Sequence, residues 1–546
     1  MKKTILVIMM IIISFVFVSC HEQTTTTTQA IATTTTKDLS WKIDYDMVDT
    51  SSYFLNDVSV CYQIFPISFA DSNGDGYGDI KGITENIDYL KNTLNVDCLW
   101  INPVNTSPSY HKYDVTNYYE IDPQLGTMAD YEELLDVSEE NGIKILMDFV
   151  INHTSYNHPW FDNSRSSQTS EYRDWYVWNS LTDKVAYPSK VGWYLNNGQY
   201  YYASFWDQMP ELNFDNEFVR EEIKNIAEFW ILKGVDGFRI DAAKHIYDSN
   251  EYPSGTSTIT ENVQLFKELN SFVKSVNPDA FIVGEIASIS SDYVSDYYAG
   301  MDSAFNFEFS SKLIYSLQAG YDSLAIQSLV NARDAFGLIR TEYIDSVFLT
   351  NHDQNRIFDQ IGQDINKMKL ASRILLTLPG ISWIYYGEEL GMSGVKPDET
   401  IRQPFIWGED SSYNTTGKTG GISDWTAYNL SLDGVTSQLE DENSLLNVYI
   451  QMISLKKSES VIQYGDIQLI DNDENRLMTY LRSYEGTTYL VIHNMSSQEK
   501  AITHDLDSFN IIYQSEDFSS VGQLFSFSPY STTILEVYNS DIVFRK

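Results

Sequence analysis

The sequence predicts an α/β protein built as a closed (β/α)8 TIM barrel, with a domain inserted after the third strand and an antiparallel β-sandwich at its C-terminal end. Three observations carry the prediction. Short apolar runs alternate with longer amphipathic stretches from about residue 58 to about residue 455. The alternation breaks once, over residues 153–216. After about Ser458 the hydrophobic period changes to that of strands.

The strand-like runs are Cys61–Phe69, Cys98–Asn102, Ile143–Val150, Gly237–Asp241, Phe281–Glu285, Ser303–Phe307, Ser346–Thr350 and Ser382–Tyr386. Helix-like stretches such as Asp130–Asn141, Glu217–Lys233 and Thr260–Val276 lie between them. Residues 153–216 are rich in Trp, Tyr, Asn and Ser without a clear period, too long for a plain loop. Near the end, Leu477–Arg482 and Thr488–Asn494 alternate and are joined through Glu485-Gly486, which reads as a hairpin. The expected divisions are a leader (1–19), a tether (20–40), a barrel in two parts (41–152 and 217–457), an inserted domain (153–216) and a C-terminal sandwich (458–546).

The leader pairs Lys2 and Lys3 with an apolar run, Ile5 to Phe17, that is too short for a comfortable membrane span. It ends at Val18-Ser19-Cys20, which resembles a bacterial lipobox with Phe17 where that pattern has Leu. Lipidation at Cys20 is expected, with an ordinary signal peptide cut nearby or a short uncleaved anchor as the alternatives. Thr24 to Thr28 and Thr33 to Thr36 have little to bury and read as a flexible leash. The expected location is extracellular, lipid-anchored to the bacterial cell membrane.

Acids outnumber bases 76 to 36, a net charge of -40. Such a chain repels nucleic acid and anionic headgroups, so no nucleic-acid partner is expected and membrane contact is expected through the lipid only. Of the three cysteines, Cys61 and Cys98 sit in apolar runs and read most simply as two buried thiols. A disulfide between them is compatible with an oxidising compartment but nothing in the sequence demands it.

Polar and acidic residues recur where the barrel strands end: Asp148 and His153 after the third, Asp241 after the fourth, Glu285 after the fifth, His352 and Asp353 after the seventh. In such a barrel these strand ends converge on one face, where active sites are built. Arg239 stands two residues before Asp241, so both side chains point to one side of the strand.

The motifs resemble the α-amylase family of glycoside hydrolases: DFVINH (148–153), GFRIDAAKH (237–245), GEI (284–286) and FLTNHD (348–353). YQIFPISFADSNGDGYGD, SPSYHKYDVTNYY, MPELN and IYYGEE agree, and the likeness spans about Cys61 to Trp407. MPELN is similar to the MPDLN of the branch between oligo-1,6-glucosidases and neopullulanases, with Glu211 for Asp. The resemblance implies Asp241 as nucleophile, Glu285 as general acid/base and Asp353 as transition-state stabiliser. Retaining glycosidases of this kind hold two carboxylates about 5 Å apart, one ionised and one protonated. Arg239 is expected to keep Asp241 ionised, and Asp148 to orient Arg239. His153 and His352 would bind sugar hydroxyls, Tyr113 would stack on the sugar ring, and Arg402 of IRQPFIW would face the site.

The loop Asp71-Ser-Asn-Gly-Asp-Gly-Tyr-Gly-Asp79 has the oxygen spacing of a calcium loop. The resemblance implies a structural Ca²⁺ held by Asp71, Asn73, Asp75, the carbonyl of Tyr77, and Asp79. Three positions depart from common family patterns: Tyr110 in place of the Asp that clamps a terminal glucose in α-glucosidases, Ile286 after the acid/base, and Ser382 for a proline. The expected activity is hydrolysis of α-1,4 bonds in starch or maltodextrin by a monomer. The rivals are a glucanotransferase or neopullulanase-like enzyme and a non-catalytic glucan-binding lipoprotein.

Overall fold

In a computed structural model of the chain, the described residues are 58–180, 192–248, 257–408, 411–415, 432–470, 472–538 and 544–545. The leader, Cys20 and the threonine leash lie outside them. Eight parallel strands close a barrel: β1 (Val60–Ile64), β2 (Cys98–Ile101), β3 (Lys144–Phe149), β4 (Gly237–Ile240), β5 (Phe281–Gly284), β6 (Ser303–Phe305), β7 (Ile344–Phe348) and β8 (Ile381–Tyr385). Each pairs with its sequence neighbours, and β8 closes on β1. Each of the eight expected runs overlaps one of these strands, and five contain it whole. Their near-continuous apolar character fits strands buried on both faces. Inside, Trp100, Leu146, Phe281, Val283, Phe305, Phe348 and Trp383 form one packed cluster.

The helices outside follow local signals. Thr127 and Asp130 form a capping box that starts the helix Met128–Glu140. Asn216 accepts from the Phe218 amide at the head of the helix Glu217–Leu232, which turns Val219, Ile223, Ile226, Ala227 and Trp230 toward the barrel. The connection from β3 to that helix carries a helix, Pro159–Ser166, and a three-stranded antiparallel sheet of Trp178–Ser180, Gln199–Tyr202 and Trp193–Asn196. Asn197 and Gly198 turn its hairpin with φ of 47° and 84°, as a two-residue loop requires.

Two antiparallel sheets follow, of five and four strands. The hairpin Leu477–Tyr484/Thr487–Asn494 turns at Glu485 and Gly486, both at positive φ. Leu481, Leu490 and Leu535 of one sheet pack with Ile502, Phe525 and Phe527 of the other, which makes the pair a sandwich. Buried Arg482 ties it to the barrel, donating to the carbonyls of Thr377, Ile462 and Gly465. Among the described residues no helix is long and apolar enough to cross a membrane.

One expectation is corrected. Cys61 and Cys98 are a disulfide, not two free thiols. They are direct register partners on β1 and β2, with Cα atoms 4.5 Å apart, and both are wholly buried in the barrel interior. The bond closes a sequence separation of 37 residues that includes the 71–79 loop. Replacing both cysteines with serine is expected to lower the unfolding free energy by about 2–4 kcal/mol, measured by urea denaturation. No loss would mean that the strand register alone supplies the constraint.

Candidate active site

The C-terminal ends of the barrel strands bring the predicted acids to one place. Asp148 on β3 is the register partner of Arg239 on β4. Asp241 follows β4 directly, and Glu285 follows β5. Arg239 is fully buried, and its guanidinium joins all three: Nη1 donates to Asp148 Oδ1 and Asp241 Oδ1 at 2.7 Å each, and Nη2 to Glu285 Oε2 at 2.6 Å. The face of the guanidinium lies 4.8 Å from the Trp100 ring. Ala242, the next residue after Asp241, is held at φ 46°, a left-handed conformation uncommon for a residue with a Cβ. Its amide donates to Glu285 Oε2 at 3.2 Å, so the strained turn fixes the two carboxylates to each other.

Behind the acids runs a chain of polar contacts. The Gln63 amide reaches His352 Nδ1 at 2.8 Å, His352 Nε2 reaches the Tyr113 hydroxyl at 2.7 Å, and that hydroxyl donates to Asp148 Oδ2 at 2.8 Å. Trp100 Nε1 donates to the same Asp148 oxygen at 3.0 Å. If Gln63 donates through its amide, His352 carries its proton on Nε2. Burial drives the His352 pKa far below its usual range, so the ring is neutral. The rings of Tyr113 and His352 are stacked, 5.4 Å apart and within 3° of parallel.

Asp353 comes from the loop after β7. Arg402 Nη2 donates to Asp353 Oδ1 at 2.8 Å and to Asp398 Oδ2 at 3.1 Å, while its Nη1 reaches the Tyr110 hydroxyl at 3.2 Å. Burial pushes the Asp353 carboxyl up, but the positive charge around it, with Arg402 in direct contact, outweighs that and holds it below the usual carboxylate range. With His352 neutral, the lasting charge beside Asp353 is that of Arg402.

Asp241 departs from expectation. Burial pushes its carboxyl well above the usual carboxylate range; Arg239 pulls the other way, while Glu285, Asp148 and Asp353 add to the rise. One guanidinium shared among three carboxylates cannot neutralise them all. The rise at Asp241 therefore reflects more buried acid than Arg239 can balance.

Asp241, Glu285, Asp353, Tyr113, His153 and Arg402 line a single cavity of about 320 Å³. Arg239 and His352 stand directly behind that lining. His153 is 2% exposed, with Nε2 3.1 Å from the Tyr113 carbonyl and Nδ1 3.0 Å from Asn152 Oδ1. Burial lowers its pKa to about 4, so it too is neutral near pH 7. The cavity also includes His111, Phe205, Met209, Lys244, His245 and Asp398, which the sequence reading passed over. Lys244 and His245 close the GFRIDAAKH motif, so their nearness to Asp241 was the available signal.

None of the 71–79 residues lines this cavity. Asp71 accepts from the amides of Asn73, Gly74 and Gly76, and Asp79 from Ser72, Asn73 and Gly82. Among the described residues no three Asp, Glu, His or Cys side chains converge to hold a metal ion. The expected donor set also draws on the Asn73 amide and the Tyr77 carbonyl, and its all-oxygen chemistry fits a hard cation.

A sequence profile of the α-amylase catalytic domain matches residues 63–465. The chain is 42% identical over 488 residues to Alpha-amylase 3 of Dictyoglomus thermophilum, covering 88% of this chain and 93% of that protein. It is 33% identical to a 4-alpha-glucanotransferase of Thermotoga neapolitana, over 80% of this chain and 96% of the relative. The crystal structure of an alpha-amylase from H. orenii superimposes with a TM-score of 0.79 at 33% identity, covering 88% of this chain and all (100%) of that one. With the closed barrel and the acids at its strand ends, these matches show that the chain belongs to the α-amylase family and is a glycoside hydrolase of that type.

Proposed function

We propose that this protein is a retaining α-amylase that hydrolyses α-1,4-glucosidic bonds of starch and maltodextrin at the cell surface. The observation that carries the reading is the Arg239 bridge, which holds Asp241 and Glu285 together in a cavity that also takes in Asp353. Two adjacent carboxylates held by one cation suit a double displacement, one as nucleophile and the other as proton donor. Asp241 attacks the anomeric carbon while Glu285 protonates the departing glycosidic oxygen. The bond to the leaving sugar breaks as the bond to Asp241 forms. Glu285, now a base, takes a proton from water, whose oxygen displaces Asp241 with net retention. Asp353, kept ionised beside Arg402, stabilises the positive charge that develops on the sugar ring. Tyr113 offers an aromatic face to that sugar, and His153 and His352 orient the groups around it.

The same residues would serve a glucanotransferase, with a sugar hydroxyl in place of water, and the likeness to the T. neapolitana enzyme keeps that reading second. A time course on soluble starch and on labelled maltoheptaose separates the two. Internal cleavage into shorter, α-configured maltodextrins is expected. Products longer than the starting heptaose as the main outcome would move the assignment to transfer.

Two attachments complete the proposal. Asp71, Asn73, Asp75, Tyr77 and Asp79 would hold a Ca²⁺ ion, which when bound would stiffen the loop after β1. Cys20 would carry the lipid, and the Cys61–Cys98 disulfide supports an oxidising compartment. Both are tested on the full chain. A chelator is expected to lower the melting temperature, because an ion that binds only the folded state stabilises it; an unchanged melting curve with metal removed would contradict the site. Cys20→Ala is expected to release the protein from membranes, and continued retention would contradict the anchor.

A further inference from the structure

Gln63 sits behind the site, and the mechanism above gives it no part. It lies on β1, is 2% exposed, and is the register partner of Trp100 on β2. Its Nε2 is 2.9 Å from Asn102 Oδ1 and 2.8 Å from His352 Nδ1. Which way this amide faces decides which ring nitrogen of His352 carries the proton, and neighbouring groups of fixed chemistry set it.

Asp148 accepts at both oxygens from groups that can only donate: Arg239 Nη1 onto Oδ1 at 2.7 Å and Trp100 Nε1 onto Oδ2 at 3.0 Å. Asn102 therefore turns its Nδ2 toward Asp148 Oδ2, 3.4 Å away, and toward the Tyr113 hydroxyl at 2.8 Å. That leaves Asn102 Oδ1 facing Gln63, which must answer with its NH2 group. One amide hydrogen goes to Asn102 Oδ1 and the other to His352 Nδ1, so Nδ1 can only accept. The Tyr113 hydroxyl agrees from the other side. Its own hydrogen goes to Asp148 Oδ2 at 2.8 Å, which leaves its oxygen to accept from His352 Nε2 at 2.7 Å. Burial keeps the ring neutral, so its one proton stands on Nε2, which also lies 3.2 Å from Asp353 Oδ2.

We propose that Gln63 is a positioning residue for the reaction: its amide occupies the Nδ1 lone pair of His352 and keeps the single proton of that ring on Nε2, between the Tyr113 hydroxyl and Asp353. This rests on the retaining reading given above, in which Asp353 stabilises the charged sugar. In this tautomer His352 gives Asp353 a donor without giving it a second positive charge. The other tautomer would set the bare Nε2 lone pair against a carboxylate oxygen 3.2 Å away. Asp353, Tyr113 and Gln63 meet the ring at its nitrogens, the rings of Phe65 and Trp100 pack beside it, and Arg402, Arg239 and Lys396 are the positive charges near it. Among the described residues the hydrogen-bond partner of Nδ1 is Gln63, so the choice of tautomer falls to that amide.

The tautomer is read directly in the full-length wild type, without any variant. Neutron diffraction is expected to show a proton on His352 Nε2, none on Nδ1, and the two Gln63 amide hydrogens directed at Asn102 and His352. A proton on Nδ1, or Gln63 Oε1 turned to the ring, would overturn the proposal. Two variants then test the consequence on maltoheptaose. Gln63→Met keeps the volume and removes the donor; it is expected to lower kcat about tenfold, a barrier rise of about 1.4 kcal/mol, with a much smaller change in KM. Gln63→Glu puts an acceptor at Nδ1 and draws a second proton onto the ring, so the acid side of its kcat profile is expected to move to higher pH. A lower melting temperature with kcat and the pH profile unchanged in both variants would also overturn the proposal, because Gln63 would then only tie β1 to the loop after β7. A wild type with the expected tautomer that turns over no maltoheptaose would instead overturn the retaining reading itself.

Discussion

The site depends on a single buried cation. Arg239 has no exposure to solvent, so its charge must be met inside the protein, and the barrel meets it with carboxylates from three adjacent strands. This is a costly arrangement to bury, and it leaves Arg239 Nε without a partner. What it provides is position: the guanidinium is planar, so its donors fix where Asp148, Asp241 and Glu285 stand relative to one another. The surplus of acid over base then raises the Asp241 carboxyl above the usual carboxylate range, with burial as the larger cause.

The barrel supplies the register that makes this bridge. Asp148 and Arg239 are direct neighbours across β3 and β4, and Val283 on β5 faces Arg239 from the other side, two residues before Glu285. A slip of one residue in either pairing would turn Arg239 or its partners away from one another. The apolar interior below, clustered around Trp100, Phe305 and Trp383, holds that register, and the Cys61–Cys98 bond locks another pair of strands in the same wall. Stability and chemistry share the same strands, with packing at the bottom and the acids at the top.

Much of this was legible in the sequence because it rests on local pattern. The eight apolar runs, the Glu485-Gly486 hairpin and the strand-end acids each announce themselves within a few residues. Three features did not. The disulfide depends on Cys61 falling opposite Cys98, which is a matter of register between strands. The state of Asp241 depends on how many carboxylates share Arg239 at once, which the register of β3, β4 and β5 sets. Phe205, Asp398 and His111 reach the cavity from segments without a period, where sequence spacing says nothing about what a side chain faces.

The account turns on Asp241 being the group that attacks, placed for it by Arg239. The direct measurement is to trap the glycosyl-enzyme with a 5-fluoro-α-maltosyl fluoride, which slows the second displacement, and to locate the added mass by peptide mass spectrometry. The account predicts one sugar adduct, on the peptide that carries Asp241 and at that residue. An adduct on another carboxylate, or turnover with inversion and no adduct, would contradict it.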